Sequence, residues 1–283
     1  VFIETDERMV TYIACGKVNY QIVGMSSVEY PDLPSFEQTD RITLNAKILR
    51  DMIRQTVYAV SENTAKPIYT GSLYEIEDGV FKIIAIDGYR MAIRSENVDS
   101  ESKNRFVVPG KTQHEVLKLL TDDEENTEII IGQRHITFKI KNYRIISRLI
   151  EGTFIEYKSA IPKETKTEVV INTRTIIDAV ERMSLLNNDR IQSPVRCIFS
   201  DDEIKLSCTS AVGRANDVIS VPIIGESVEI GFNNRYLLDA LKNADTDEIK
   251  LILNGSLTAM IVKPVKGDSY LSIVVPMRLA NES

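Results

Sequence analysis

The feature that most restricts how this chain can fold is an internal repeat. Ile42-Thr43-Leu44-Asn45 returns as Val169-Val170-Ile171-Asn172, an offset of 127 residues, and each copy leads into an amphipathic helical stretch with Asp51 and Asp178 at matching places. Residues 108–120 likewise resemble 230–242. Arg8-Met9-Val10-Thr11 parallels Arg134-His135-Ile136-Thr137, and Val28-Glu29-Tyr30 parallels Ile155-Glu156-Tyr157. Self-similarity at a fixed spacing marks a chain assembled from copies of one supersecondary unit. The reading is two whole units, 40–164 and 165–283, preceded by 1–39, which matches only the closing part of a unit. The register of the repeat predicts that about 87 further residues of a first unit would precede Val1, making a three-unit protein.

Each unit has the rhythm strand, helix, several strands, twice over. Apolar residues at i, i+3, i+4, i+7 spacing predict helices over 46–60, 111–120, 173–186 and 234–242; Leu49, Met52, Ile53, Thr56, Val57 and Val60 form the stripe of the first. Runs such as 134–140 alternate apolar with polar and predict half-buried antiparallel strands. The expected class is therefore α+β, with few helices and many strands.

Composition removes several functions. No apolar run approaches the ~20 residues of a membrane span, and the first apolar stretch is broken by Glu4, Asp6, Glu7 and Arg8, unlike a signal peptide. Cys15, Cys197 and Cys208 lie far apart with no CxxC, and there are only two histidines. That fits a reducing cytoplasm and core thiols, half-buried, rather than disulfides or zinc. Neither a P-loop nor G-x-G-x-x-G occurs. His114 is predicted on a helix and His135 on a strand, with no partner nearby in sequence for a nucleophile relay. The acidic groups Asp122-Asp123-Glu124-Glu125 and Asp201-Asp202-Glu203 lack the spacing of a calcium loop and read as solvated turns. No catalytic residue, metal or cofactor is expected.

The net charge is −7, yet the basic residues are not spread evenly. Lys47, Arg50 and Arg54 share one face of the first predicted helix, opposite its apolar stripe. Lys111 and Lys118 are seven apart in the second helix, and Arg235 and Lys242 seven apart in the fourth. Four ordinary solvated helix faces would give this pattern, and so would a surface segregated to meet a polyanion. Lys and Arg contacts to phosphate carry no base information, and nothing here suggests base readout.

Four segments carry a family resemblance. Ile84-Ala85-Ile86-Asp87-Gly88-Tyr89-Arg90-Met91-Ala92 resembles the A-T-D-G-H-R-L-A signature of bacterial sliding clamps, the beta subunits of DNA polymerase III. Gly152-Thr153-Phe154-Ile155-Glu156-Tyr157, then Ile161-Pro162, resembles their G-x-F-P-D-Y segment. Gly231-Phe232-Asn233 with Tyr236-Leu237-Leu238-Asp239 resembles G-F-N-x-x-Y-L-x-D, and Val274-Val275-Pro276-Met277-Arg278-Leu279 the terminal M-P-M-R-L. The resemblance implies the DNA-clamp fold, with helices inside and antiparallel sheets outside. Residues 1–39 would close a first domain, 40–164 form a middle domain and 165–283 a C-terminal one. It also implies a head-to-tail homodimeric ring around duplex DNA, a non-catalytic subunit, and as partners the polymerase III alpha subunit, the clamp loader and other proteins bearing clamp-binding motifs. Lys47, Arg50, Arg54, Asn63, Lys66, Lys111 and Lys118 are the expected DNA-side residues; Arg54 is inferred from its helix face alone. A partner-peptide groove is expected around Tyr69, Ile86, Gly88, Tyr89, Arg90, Met91, Ile155, Asn233, Tyr236, Leu257, Val274, Val275, Pro276, Met277, Arg278 and Leu279. Ile86 stands where the family usually has Thr, Ile155 where Pro is common, and Ser159 where the best-known members carry Arg. Four residues, 280–283, follow the usual terminal Leu. The alternatives are a nucleic-acid-binding or scaffold protein built from the same repeat without a ring, and a metal-dependent enzyme using the acidic loops.

Overall fold

The computed structural model describes residues 1–30, 38–121, 124–186 and 193–279. Asp122, Asp123 and the segment 280–283 lie outside the described residues. The chain divides into two compact units, Val1–Glu37 and Gln38–Ser283. In the first, Phe2–Thr5, Val10–Cys15 and Val18–Val23 form a three-stranded antiparallel sheet. Cys15, expected as a half-buried thiol, is exposed at the end of its strand; residues of this sheet are exposed on both faces, so the position offers no core. Cys197 and Cys208 are buried, and burial pushes the Cys197 thiol up to about 12.

The second unit carries four helices: α1 (Ala46–Val57), α2 (Gly110–Leu119), α3 (Thr173–Ser184) and α4 (Asn234–Lys242). Three begin where an Asn at or just past the end of a strand turns its side-chain oxygen onto the first free backbone N–H groups. Asn45 accepts from Lys47 and Ile48, Asn172 from Thr175, and Asn233 from Arg235 and Tyr236. α1 stops at Val57, short of the predicted residue 60: Tyr58 keeps helical dihedrals, but Ala59 and Val60 bond to Thr56 O and Val57 O, three residues back, in a tighter turn.

Every strand pairing among the described residues is antiparallel. Two four-stranded sheets flank one nine-stranded sheet. Its order is Ile223–Gly225, Thr167–Asn172, Glu248–Leu253, Met260–Pro264, Tyr270–Val274, Arg90–Asn97, Val80–Ile86, Gly71–Glu77, Asn104–Pro109. It crosses from one repeat to the other where Tyr270–Val274 pairs with Arg90–Arg94.

Strand alternation then sorts the cores. Tyr74, Ile76, Phe81 and Ile83 face inward under α1 and α2, with Leu49, Met52 and Ile53. Val169, Ile171, Phe199, Phe232 and Leu251 form the matching core with α3 and α4. The opposite face of the nine-stranded sheet presents Leu73, Ile84, Met91 and Ile93, and the connecting segment covers it with Phe154 and Tyr157. The strand His135–Ile140 is more buried than simple alternation predicts, since Thr137 as well as Ile136 and Phe138 is enclosed. Asp201 and Asp202 occupy a hairpin turn with positive φ (54° and 56°), as their reading as turn residues implies.

Candidate functional site

A sharp turn joins the strands Val80–Ile86 and Arg90–Asn97. Asp87 builds it: Oδ1 accepts from the backbone N–H of Tyr89 at 2.9 Å and of Arg90 at 3.0 Å. Gly88 takes φ of +94°, a conformation L side chains avoid. The turn leaves Tyr89 61% exposed and stacked on Tyr236 of α4, centroids 5.8 Å apart and planes 18° from parallel. The cap made by Asn233 fixes the start of α4 and hence the reach of Tyr236.

The C-terminal segment closes onto both elements. Val275 N–H donates to Tyr89 O at 2.9 Å, and Met277 N–H to Gly231 O at 2.8 Å. A side chain at position 231 would set its Cβ 2.6 Å from Leu279 Cδ2, so the absence of one is what admits Leu279 there. Between the tyrosine pair and the loop after α1 lies a trough of about 410 Å³, lined by Val60–Asn63, Ala65, Lys66, Tyr69, Asp87–Arg90, Arg235 and Tyr236. Tyr69 also meets Phe154 edge-on at 5.8 Å, which ties the trough floor to the connecting segment.

The trough's electrostatics centre on Arg90, which is only 6% exposed. Its Nε donates to Asp87 Oδ2 at 2.9 Å and Nη1 to Asp239 Oδ2. Burial acts to lower its pKa, but the two carboxylates more than offset this and hold it above the ordinary arginine value. Burial, and then Asp87, raise the Tyr236 hydroxyl above its ordinary value. Acidic Glu62 and Asp87 and basic Lys66, Arg90 and Arg235 share the lining, a mixed polar rim around aromatic rings.

Of the expected groove residues, Tyr69, Gly88, Tyr89, Arg90 and Tyr236 line this trough. Val275, Pro276, Met277, Arg278 and Leu279 belong to the segment hydrogen-bonded to Tyr89 and Gly231, with Val275 and Arg278 exposed and the other three half-buried. Asn233 acts as the helix cap. Ile86 is half-buried on the outer sheet face with Tyr69. Met91 and Val274 are core residues at 2% and 0% exposure. Ile155 is exposed on the connecting segment, and Leu257, 85% exposed, stands in the loop after Glu248–Leu253.

Of the expected DNA-side residues, Lys47 and Arg54 stand on α1, and Arg50 there reaches Leu120 O at 3.5 Å. Lys111 is exposed on α2, where Lys118 pairs with Glu115 at 2.7 Å. Arg54 pairs with Asp245 at 2.5 Å. Asn63 and Lys66 are not on a helix but line the trough. Sequence reasoning assigns no site role to Tyr58, Asp87 or Asp239, and it reads Arg235 only as a basic residue of the fourth helix. Asp87 and Asp239 lay inside quoted motifs, and the i, i+3 spacing of Tyr236 and Asp239 on one helix face was a usable signal. Tyr58 had none.

Among the described residues no group of three His, Cys, Asp or Glu is placed to hold a metal, and no helix is long and apolar enough to cross a membrane.

Known proteins resemble this chain throughout. It matches the family described as the DNA polymerase III beta subunit, by its central domain over residues 43–156 and its C-terminal domain over 158–278. The beta sliding clamp of Bacillus subtilis strain 168 is 31% identical over 283 residues, covering 98% of this chain and 75% of that protein. The crystal structure of the Bacillus subtilis DNA polymerase sliding clamp superposes with a TM-score of 0.94 at 31% identity, covering 98% of this chain and 74% of that one. A Pseudomonas aeruginosa sliding clamp bound to griselimycin gives 0.93 at 25% identity, covering 98% and 75%.

Proposed function

Since this chain belongs to the family of bacterial sliding clamps, the beta subunit of DNA polymerase III, we propose that it tethers the replicative polymerase to duplex DNA through the trough while a ring of two copies encircles the helix. It is a processivity factor and not a catalyst. The single observation that carries the groove assignment is convergence. Three family motifs, at 84–92, 231–239 and 274–279, meet through Val275 N–H on Tyr89 O and Met277 N–H on Gly231 O. No core requires an exposed Tyr89 to be held this way; aromatic rings set within a mixed polar rim suit an extended peptide with a few hydrophobic anchors. The peptides in view are clamp-binding segments of the polymerase III alpha subunit, the clamp loader and other proteins with such motifs.

Encirclement explains why the basic residues need no base contacts. Lys47, Arg50, Arg54, Lys111 and Lys118 would meet phosphates from α1 and α2 in a weak, mobile and salt-sensitive way. Asn63 and Lys66, at the trough, would serve the peptide. Family membership favours this account over a scaffold without a ring. The lack of Thr at Ile86, Pro at Ile155 and Arg at Ser159 points to a motif preference that differs from that of the best-known clamps.

The test is a titration of a fluorescent peptide bearing a polymerase-type clamp-binding motif. Saturable micromolar binding, about −8 kcal/mol, is expected, weakened about tenfold or more by Met277→Ala. A folded wild-type chain that leaves the peptide free would overturn the assignment.

A further inference from the structure

Arg90 lies in a family motif and borders the trough, yet little of it reaches solvent. Its guanidinium is engaged on every side the structure describes. Asp87 and Asp239 take hydrogen bonds, and the guanidinium carbon sits 4.6 Å from the Tyr236 ring centroid and 5.4 Å from that of Tyr58. Both rings are within cation–π reach. These contacts close a circuit. Tyr236 and Asp239 project from the same face of α4, three residues apart. Asp239 holds Arg90, Arg90 holds Asp87, Asp87 pins the turn that carries Tyr89, and Tyr89 returns to Tyr236 by stacking. Without the Arg90 guanidinium, the Asp87 and Asp239 carboxylates would face one another across the same space, and the Asp87 side chain that pins the Tyr89 turn would lose its Nε–H donor.

We propose that Arg90 is a positioning residue: it holds the Tyr89–Tyr236 aromatic wall of the trough, acting through those rings and not by touching the bound peptide. As a peptide-site claim this rests on the groove reading above. Lysine cannot take the role, because a point charge lacks the planar fork that binds two carboxylates and lies against two rings at once.

The chain contains no tryptophan, so Tyr89→Trp supplies a single fluorophore in the wall itself, readable with no peptide present. Adding Arg90→Lys to that variant should raise acrylamide quenching and lower fluorescence anisotropy, while the far-ultraviolet circular dichroism stays unchanged. Asp239→Asn should shift both readings the same way, and it stands in should Arg90→Lys fail to fold. In peptide titrations, Arg90→Lys should weaken binding about tenfold in the wild-type background but less than about twofold when Tyr236→Ala is already present, the non-additivity expected of residues acting through one another. Unaltered quenching, with equal weakening in both backgrounds, would overturn the proposal and make Arg90 a direct peptide contact. Failure of the wild-type chain to bind peptide would remove the groove reading alone, and the quenching comparison would still decide the positioning claim.

Discussion

Tyr157 shows how much of this molecule is decided by single side chains meeting across long stretches of sequence. It is 2% exposed, and its hydroxyl donates to Glu75 Oε1 at 2.7 Å, a carboxylate itself only 6% exposed. Burial first, and then Glu75, push the phenol well above its ordinary value, so it stays a donor. Arg105 Nε approaches the other oxygen of Glu75 at 3.8 Å. The pair anchors the connecting segment on the outer sheet face, next to Phe154 and so next to Tyr69 of the trough. Tyr157→Phe leaves a buried carboxylate one donor short and should cost about 1–3 kcal/mol, read as a lower denaturant midpoint with an unchanged slope. A midpoint equal to wild type would mean that the hydroxyl contributes nothing to the anchor. The tyrosine was legible as a motif residue. Glu75, 82 residues earlier, was not, because nothing local marks a carboxylate on a strand as the partner of a distant phenol.

At the scale of elements, the repeat and the helical period did most of the work. Asn45 and Asn172, matched in the sequence by their offset, are both helix caps, and Asn233 is a third. Asn172 accepts from Thr175 N–H at 3.0 Å and donates through Nδ2 to Asp247 O at 3.1 Å, joining the start of α3 to the loop after α4. Asn172→Ala should therefore destabilise the chain by about 1 kcal/mol, as the loss of an N-cap does. A thermal melt that reports no change would show that solvent replaces the cap. Helix ends were read within three residues because apolar spacing continues a little past the last helical turn: Val60 keeps the stripe, but Ala59 and Val60 bond to carbonyls three residues back instead of four. The nine-stranded sheet was not legible at all. Its crossing pairs Tyr270 with Arg94 and Val274 with Arg90, and a register between strands so far apart in sequence leaves no trace in either one alone.

For the whole molecule, that crossing makes 38–283 one unit instead of two beads on a string. Polar bonds reinforce it: Gln55 Nε2 donates to Asn243 O at 3.0 Å, Arg94 Nε to Gln55 Oε1 at 2.8 Å, and Arg54 pairs with Asp245 at 2.5 Å. The trough lies at this junction, where a rigid seam keeps its two walls in register. The uneven charge read from the sequence fits a protein that meets DNA from its helices by encirclement, needing no tight grip. The most direct test of that account is retention on DNA of two topologies. The protein loaded onto nicked circular plasmid should survive a moderate-salt wash, and then leave within minutes once a restriction enzyme linearises the plasmid. Equal retention on circular and linear DNA, falling only as salt rises, would contradict encirclement and leave a simple phosphate binder.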